Sequence, residues 1–216
     1  MNGTLSTCND LRDIVSQIQS LEKTSVIHFD FSSTIILAVI FMIFYRFIFR
    51  NHSIWKCLLW TSFFFYILNV IRLTFFPLPI NGSYIEILKR ETDCGIVLER
   101  RHNFELFDFM KWGNLFHITT VGNFLLLFPL GFYFLILFGR FRWNLLSVTF
   151  MGFAISLSIE CTQLLYDLIT GYAYRGFNVD DLMMNTLGVF IGYLICSTFR
   201  LFWWLLKFIR NLFVFS

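Results

Sequence analysis

Five apolar runs, each about 20 residues or longer, constrain the fold of this chain more than any other feature. The hydrocarbon core of a bilayer is about 30 Å thick, so a helix needs ~20 mostly apolar residues to cross it. A strand of a membrane barrel needs only about 9 to 11 residues, in an alternating pattern that these runs lack. The runs cover residues 31–49, 57–76, 115–138, 143–166 and 182–206. They predict an all-α, polytopic membrane protein with about five transmembrane helices.

The overall composition favours the same class of protein. Hydrophobic residues make up 57% of the chain and charged residues 14%, against roughly 45 to 50% and 25% in soluble domains. The formal net charge of +3 is too small for a nucleic-acid-binding surface, so we expect no nucleic-acid partner. Five cysteines in a chain of this length do not predict a disulfide scaffold, although Cys8 and Cys94 could pair on one side of the membrane.

The chain divides into an N-terminal segment 1–30, a five-span membrane domain 31–206 and a cytoplasmic tail 207–216. The first segment lacks the basic start and early apolar core of a cleaved signal peptide, so we expect no cleavage. Leu11, Ile14, Val15 and Ile18 follow helical spacing. This spacing predicts an extracytoplasmic amphipathic helix that lies on the membrane surface or packs on the following loop.

The density of basic residues predicts the orientation. One face carries eight basic residues in short segments without an acidic residue among them: Arg46, Arg50, Lys56, Arg140, Arg142, Arg200, Lys207 and Arg210. The opposite face carries as many, but spread over longer segments that also hold nearly all of the acidic residues. Because short basic loops stay in the cytoplasm, we expect the N-terminus outside and the C-terminus inside.

Polar side chains within the predicted spans gather at one depth. With the predicted orientation, nine polar residues in or directly beside the spans fall in the outer part of the membrane: Asn69, Arg72, Asn114, Asn123, Glu160, Gln163, Asp180, Asp181 and Asn185. An ionisable group at membrane depth costs about 2.5 to 3.5 kcal/mol, and such groups usually serve a function. We therefore favour a functional site over a purely structural network, in which Arg72 and Arg175 would only neutralise Glu160 and Asp181.

Helical spacing groups these residues further, because residues three and four apart share a face. Glu160, Gln163 and Asp167 line one stripe of the fourth span. Asp181 and Asn185 share a stripe of the fifth span with Gly188 and Gly192, a spacing of small residues that lets two membrane helices approach closely. Pro129 in the third span predicts either an opening of that helix or an ordinary kink, and we favour the kink.

No motif of a known catalytic chemistry accompanies these residues. The chain has no G-x-S-x-G, H-E-x-x-H, C-x-x-C or phosphate-binding loop sequence. His117 could join Glu160 and Asp181 around a metal, but the spacing is not diagnostic and a solvated histidine is the better interpretation. We expect neither a metal nor a cofactor.

Three stretches resemble the VanZ-like membrane proteins. They are Asn123-Phe-Leu-Leu-Leu-Phe-Pro129-Leu-Gly131-Phe, Glu160-Cys-Thr-Gln163, and Arg175-Gly-Phe-Asn-Val-Asp180-Asp181-Leu-Met-Met-Asn185-Thr-Leu-Gly188. Upstream, Arg101-His-Asn103 is similar to the family's Arg and Asn, but Glu105 and Leu106 replace its proline-containing turn. Asn178 stands where the family often has an acid. The resemblance covers about 114–192 within a core of about 57–200, and implies a bacterial plasma-membrane protein associated with low-level teicoplanin resistance.

Two hypotheses of function follow. In the first, the protein binds or modulates an outer-leaflet amphiphile, either a lipid-linked cell-wall precursor or a glycopeptide antibiotic, and its other partners are membrane lipids. The candidate binding residues are Arg72, Asn123, Glu160, Gln163, Arg175, Asp180, Asp181 and Asn185. In the second, it is an intramembrane enzyme in which Glu160 and Asp181 act as general acid and base. A proton-coupled transporter is disfavoured, because five spans give no even internal repeat.

Overall fold

The computed structural model describes residues 25–93, 102–107, 110, 117–139 and 144–214. Within them five helices are long and apolar enough to cross a membrane, which confirms the predicted all-α polytopic class. The helices are α1 (Phe31–Ile48), α2 (Ile54–Phe75), α3 (Gly82–Asp93), α4 (Ile118–Leu137), α5 (Leu145–Thr170) and α6 (Val179–Val214). All but α3 are candidate spans.

The helix ends follow local capping chemistry. α2 begins after Ser53, whose side chain accepts a hydrogen bond from the backbone N–H of Lys56, and ends at Phe75, just before Pro77. α4 continues through Pro129 to Leu137. α6 starts three residues before the predicted span and continues through most of the predicted tail, as far as Val214. Over its 36 residues it is about 54 Å long.

Some predictions fall on residues that the structure does not describe. These are the amphipathic segment around Leu11 and Ile18, the pairing of Cys8 with Cys94, and the position of Asn114. They lie outside the described residues and stay predictions.

The chain forms two compact units, and the first comprises Met1–His102 and Thr162–Phe177. In this unit α1 packs against α2, where the rings of Phe41 and Phe64 stack with centroids 4.4 Å apart. Two short strands, β1 (Val26–Ile27) and β2 (Leu78–Pro79), pair antiparallel. In the chain, β1 precedes α1 and β2 follows α2. α3 follows β2, and the side chain of Asn81 accepts a hydrogen bond from the N–H of Ser83 at its start.

The second unit comprises Asn103–Cys161 and Asn178–Ser216, and a close approach of α4 to α6 forms its centre. A Cβ atom at Gly188 or Gly192 would overlap the backbone carbonyl oxygen of Phe124 or Phe128. On α4, a Cβ at Gly131 would overlap the backbone of α6 in the same way. The small-residue spacing therefore packs as predicted, and its partner is the third span.

Candidate functional site

Glu160 lies on α5 in the second unit and is only 3% exposed. Its Oε2 accepts a hydrogen bond from the backbone N–H of Asn178, at 3.0 Å. Asn178 immediately precedes α6, where backbone N–H groups lack partners within the helix and the helix dipole is positive. The start of α6 thus stabilises a carboxylate that would otherwise be costly to bury.

Asn178 caps α6 and also contacts the next acid. Its Oδ1 accepts from the N–H of Asp180 at 2.9 Å, and its Nδ2 donates to Oδ1 of Asp181 at 3.1 Å. The two carboxylates predicted to act as a pair, Glu160 and Asp181, therefore both bind Asn178. In the sequence, this Asn stands out only as a departure from a family pattern. Its position before Val-Asp-Asp is a signal for a helix N-cap that could have identified it.

A second segment of the same unit is held at the start of α6. The carbonyl oxygen of Asn103 accepts from the N–H of Val179 at 3.0 Å, and its Nδ2 donates to Oδ1 of Asn178 at 3.2 Å. Asp180 is 5% exposed, and its Oδ1 accepts from the N–H of Phe107 at 2.9 Å. Asp180 is thus a residue that holds the 103–107 segment, and sequence reasoning missed the contribution of Asn103.

The remaining predicted residues of this unit lie farther along the helices. Asn185, 1% exposed, shares a stripe of α6 with Asp181 and the two glycines that contact α4. Its Oδ1 has no hydrogen-bond partner among the described residues. Asn123 is half-buried on α4. His117 precedes α4, where its Nδ1 lies 2.8 Å from Oγ1 of Thr119.

An apolar cavity of about 440 Å³ runs along the other side of α6, and we call it the α6 groove. Its lining residues are Leu106, Thr149, Phe153, Val179, Leu182, Met183, Met184, Thr186, Leu187 and Phe190. Most of those on α6 recur at three- and four-residue spacing, on a face nearly opposite to Asp181 and Asn185. None of the predicted binding residues lines the groove. Asp180 is next to the groove, because Asp180 binds the N–H of Phe107 and the adjacent Leu106 lines the groove.

In the first unit, Gln163 and Arg175 both contact the end of α2. Nε2 of Gln163 donates to the carbonyl oxygen of Thr74 at 2.9 Å, and Nη2 of Arg175 donates to that of Phe76 at 2.6 Å. The last carbonyl groups of a helix have no partner within it, so these two side chains cap α2. Nε of Arg72, on α2 itself, donates to Oδ1 of Asn69 at 3.2 Å.

Asp167, also in the first unit, organises the loop that follows α5. Its carboxylate is 3% exposed and accepts from the backbone N–H groups of Tyr174 at 3.0 Å, Arg175 at 3.4 Å and Gly176 at 2.9 Å. Gly171 adopts a φ of +62°, a left-handed conformation that ends helices without the steric cost of a Cβ atom. Nζ of Lys89 donates to the carbonyl oxygen of Thr170 at 2.9 Å.

The structure therefore brings Glu160, Asp180 and Asp181 together at the start of α6, with Asn178 between them. These oxygen atoms can accept hydrogen bonds from hydroxyl, amide or ammonium groups. Among the described residues, no group of three or more His, Cys, Asp and Glu side chains is arranged to hold a metal ion.

Comparison with known proteins gives one match. The model of the VanZ/LLP1 family matches residues 63–202, which is more than half of the chain. The match includes Glu160, Asp180 and Asp181, which we call the acidic cluster. No curated protein and no solved structure matches the chain significantly.

Proposed function

Since the chain belongs to the VanZ/LLP1 family of membrane proteins, we propose that it binds or modulates an amphiphile of the outer leaflet. The class we propose comprises lipid-linked cell-wall precursors and lipoglycopeptides such as teicoplanin. Low-level resistance would come from altered exposure or composition of the outer-leaflet precursors. The polar head of the amphiphile lies at the start of α6, and its apolar chain lies in the α6 groove.

The observation that carries this proposal is the extent of the groove along α6. It begins at Val179, the first residue of the helix, and reaches Phe190. Eleven residue steps at 1.5 Å each give about 16 Å. This is close to half of the ~30 Å hydrocarbon core, which is the depth of one leaflet. A groove of this length accommodates the apolar chain of a lipid whose head remains at the membrane surface.

The acidic cluster supports the position of the head group. A helix with its side chains is about 10 to 12 Å across, so a head group at the helix start reaches both the groove and the acids on the other side. Glu160 and Asp181 would accept hydrogen bonds from its hydroxyl, amide or amine groups. Asp180 would act indirectly, because its bond to the N–H of Phe107 positions Leu106 over the groove.

The proposed location is the bacterial plasma membrane, with the N-terminus outside and the C-terminus in the cytoplasm. The distribution of basic residues supports this orientation. It puts the start of α6 at the outer face, where lipid-linked precursors and lipoglycopeptides are both accessible.

The test compares variants in a sensitive Gram-positive strain, at membrane abundances matched by immunoblot. The strain carries an empty vector, the wild type, Glu160→Gln, Leu187→Trp to fill the groove, or Leu146→Trp as a control. Leu146 is 80% exposed on α5 and does not line the groove. We expect wild type and Leu146→Trp to raise teicoplanin tolerance and the other two variants to lose the increase. Wild type equal to the empty vector would refute the resistance role, and full tolerance with Leu187→Trp would refute the groove as the chain site.

An intramembrane acid and base enzyme is the second candidate. It is favoured by the shared contact of Glu160 and Asp181 with Asn178, which keeps the two carboxylates close to each other. Lipid extracts of the same strains would then contain a new or depleted envelope lipid with wild type only. Mass spectrometry of strains carrying Glu160→Gln or Asp181→Asn tests this, because either change would abolish catalysis. An unchanged lipid profile with wild type refutes it.

A further inference from the structure

α5 and α6 face each other along a polar stripe within the second unit. At one end, a Cβ at Gly152 of α5 would lie 2.8 Å from Cβ of Val189 on α6, so these two positions are in contact. At the other end, Glu160 of α5 binds the N–H of Asn178 at the start of α6. The chain numbering rises along α5 as it falls along α6, so the two helices run antiparallel here.

Ser156 and Asn185 lie between these two contacts. Gly152, Ser156 and Glu160 follow each other at four-residue spacing on α5, and Val189, Asn185 and Asp181 do so on α6. Ser156 and Asn185 are therefore at the same level, one turn from each end of the stripe. Ser156 is 0% exposed and Asn185 is 1% exposed.

Each of the two side chains has an oxygen atom without a hydrogen-bond partner in the part of the chain that the structure describes. Neither Oγ of Ser156 nor Oδ1 of Asn185 forms a hydrogen bond with a described residue. The large majority of buried polar atoms in proteins are hydrogen-bonded or bind an ordered water or an ion. Two such oxygens at the same level of neighbouring helices, one turn from the buried Glu160, are the arrangement expected of a small polar ligand site.

Among the described residues of the second unit, the charge nearest to this site is negative. Glu160 is 3% exposed, and the described basic side chains of this unit are on the far part of α6, beginning at Arg200. Arg200 is fifteen residues beyond Asn185, or about 22 Å along the helix. No described basic side chain of the unit is therefore close enough to neutralise the Glu160 carboxylate.

We propose that α5 and α6 bind a monovalent cation of the size of Na⁺, through the Glu160 carboxylate, Oδ1 of Asn185 and Oγ of Ser156. Oxygen atoms are the ligands that hard cations prefer. Glu160 supplies the negative charge for a single positive charge, since the neighbouring Asp181 carboxylate already accepts from Nδ2 of Asn178. The contact of Gly152 with Val189 keeps the helices close, which favours Na⁺ over the larger K⁺. This inference goes beyond the proposed function and does not depend on it.

The test measures thermal unfolding of the purified full-length protein in detergent, followed by the intrinsic fluorescence of its 6 tryptophans. The melting temperature is compared in NaCl, KCl and choline chloride at equal ionic strength and pH. A ligand that binds only the folded state stabilises it by mass action. At a Na⁺ concentration 100-fold above its Kd, we expect a rise of about 5 to 10 °C over choline, with a smaller rise in K⁺.

Ser156→Ala and Asn185→Leu should remove the Na⁺-dependent rise. Ser158→Ala is the matched control, because Ser158 is exposed on the same helix and donates to the carbonyl oxygen of Ala154. Binding of ²²Na⁺ to the wild type, displaced by unlabelled Na⁺ but not by choline, gives a second readout if Asn185→Leu does not fold. Equal melting temperatures in the three salts, a rise that persists in Ser156→Ala and Asn185→Leu, or an absence of ²²Na⁺ binding would overturn the proposal.

Discussion

Gly188→Ala tests the close approach of α6 to α4. The added Cβ atom would overlap the carbonyl oxygen of Phe124, which belongs to the backbone and cannot rotate away. Non-bonded heavy atoms are in optimal contact at ~3.5 to 4.0 Å, so the two helices would have to separate by on the order of 1 Å. A gap of that size forfeits roughly a quarter to a half of each dispersion contact along the interface.

The magnitude follows from two opposing effects. Insertion of a methyl group into a well-packed interface costs about 1 to 3 kcal/mol, whereas replacement of Gly by Ala within a helix gains up to ~1 kcal/mol. Gly122→Ala on α4 separates them, because a Cβ at Gly122 meets nothing within 4 Å. Gly122→Ala therefore has the gain in helix propensity without the steric overlap. We therefore expect Gly188→Ala to be less stable than Gly122→Ala by about 1 to 3 kcal/mol.

Thermal unfolding in detergent checks this difference. For a chain of this size, 1 kcal/mol corresponds to about 2 to 4 °C in melting temperature. If Gly188→Ala melts at or above the temperature of Gly122→Ala, the backbones of α4 and α6 do not approach closely enough at Gly188 to exclude a Cβ atom.

The same assay checks three further changes in the first unit. Asp167→Asn should destabilise the fold by about 2 to 4 kcal/mol, because the amide nitrogen cannot accept the backbone hydrogen bonds that a carboxylate accepts. Glu86 is exposed, so Glu86→Gln should leave the melting temperature unchanged, and an equal loss in both variants would contradict the role of Asp167 in holding the loop. Lys89→Met should cost about 0.3 to 1 kcal/mol at low salt and less at high salt, because it removes a cation from the end of α5; a loss that does not depend on salt would rule out this electrostatic origin. Tyr166→Phe should cost about 0.5 to 1.5 kcal/mol through its lost hydrogen bond to the carbonyl oxygen of Pro79, and an unchanged melting temperature would show that this bond does not stabilise the fold.

The helical spans could be predicted from sequence because their causes are local. Apolar length alone identifies a helix that crosses a bilayer, and Pro77 prevents α2 from continuing. The Gly188 and Gly192 spacing predicts a close helix contact. It does not identify α4 as the partner, since this depends on how the spans are arranged in three dimensions.

Two parts of the site could not be predicted, for different reasons. Gln163 and Arg175 donate to backbone carbonyl oxygens, and a carbonyl oxygen carries no sequence signature. The contact of Asn103 with the start of α6 joins residues 75 positions apart. α6 is also longer than the span predicted from sequence. Hydropathy falls at the basic residues near Lys207, which ends the predicted span, but no Gly or Pro follows Gly192 to end the helix itself.

The contacts of Asp167 have a consequence for the dynamics of the loop that follows α5. Loop amides commonly exchange with deuterium within seconds, because they open without disturbing the rest of the fold. Here the N–H groups of Tyr174 and Gly176 are bonded to a carboxylate that is 3% exposed, so their release leaves a buried charge without these partners, which is costly. The connection between the last two spans should therefore exchange at the rate of the helix end that holds it, as one cooperative unit.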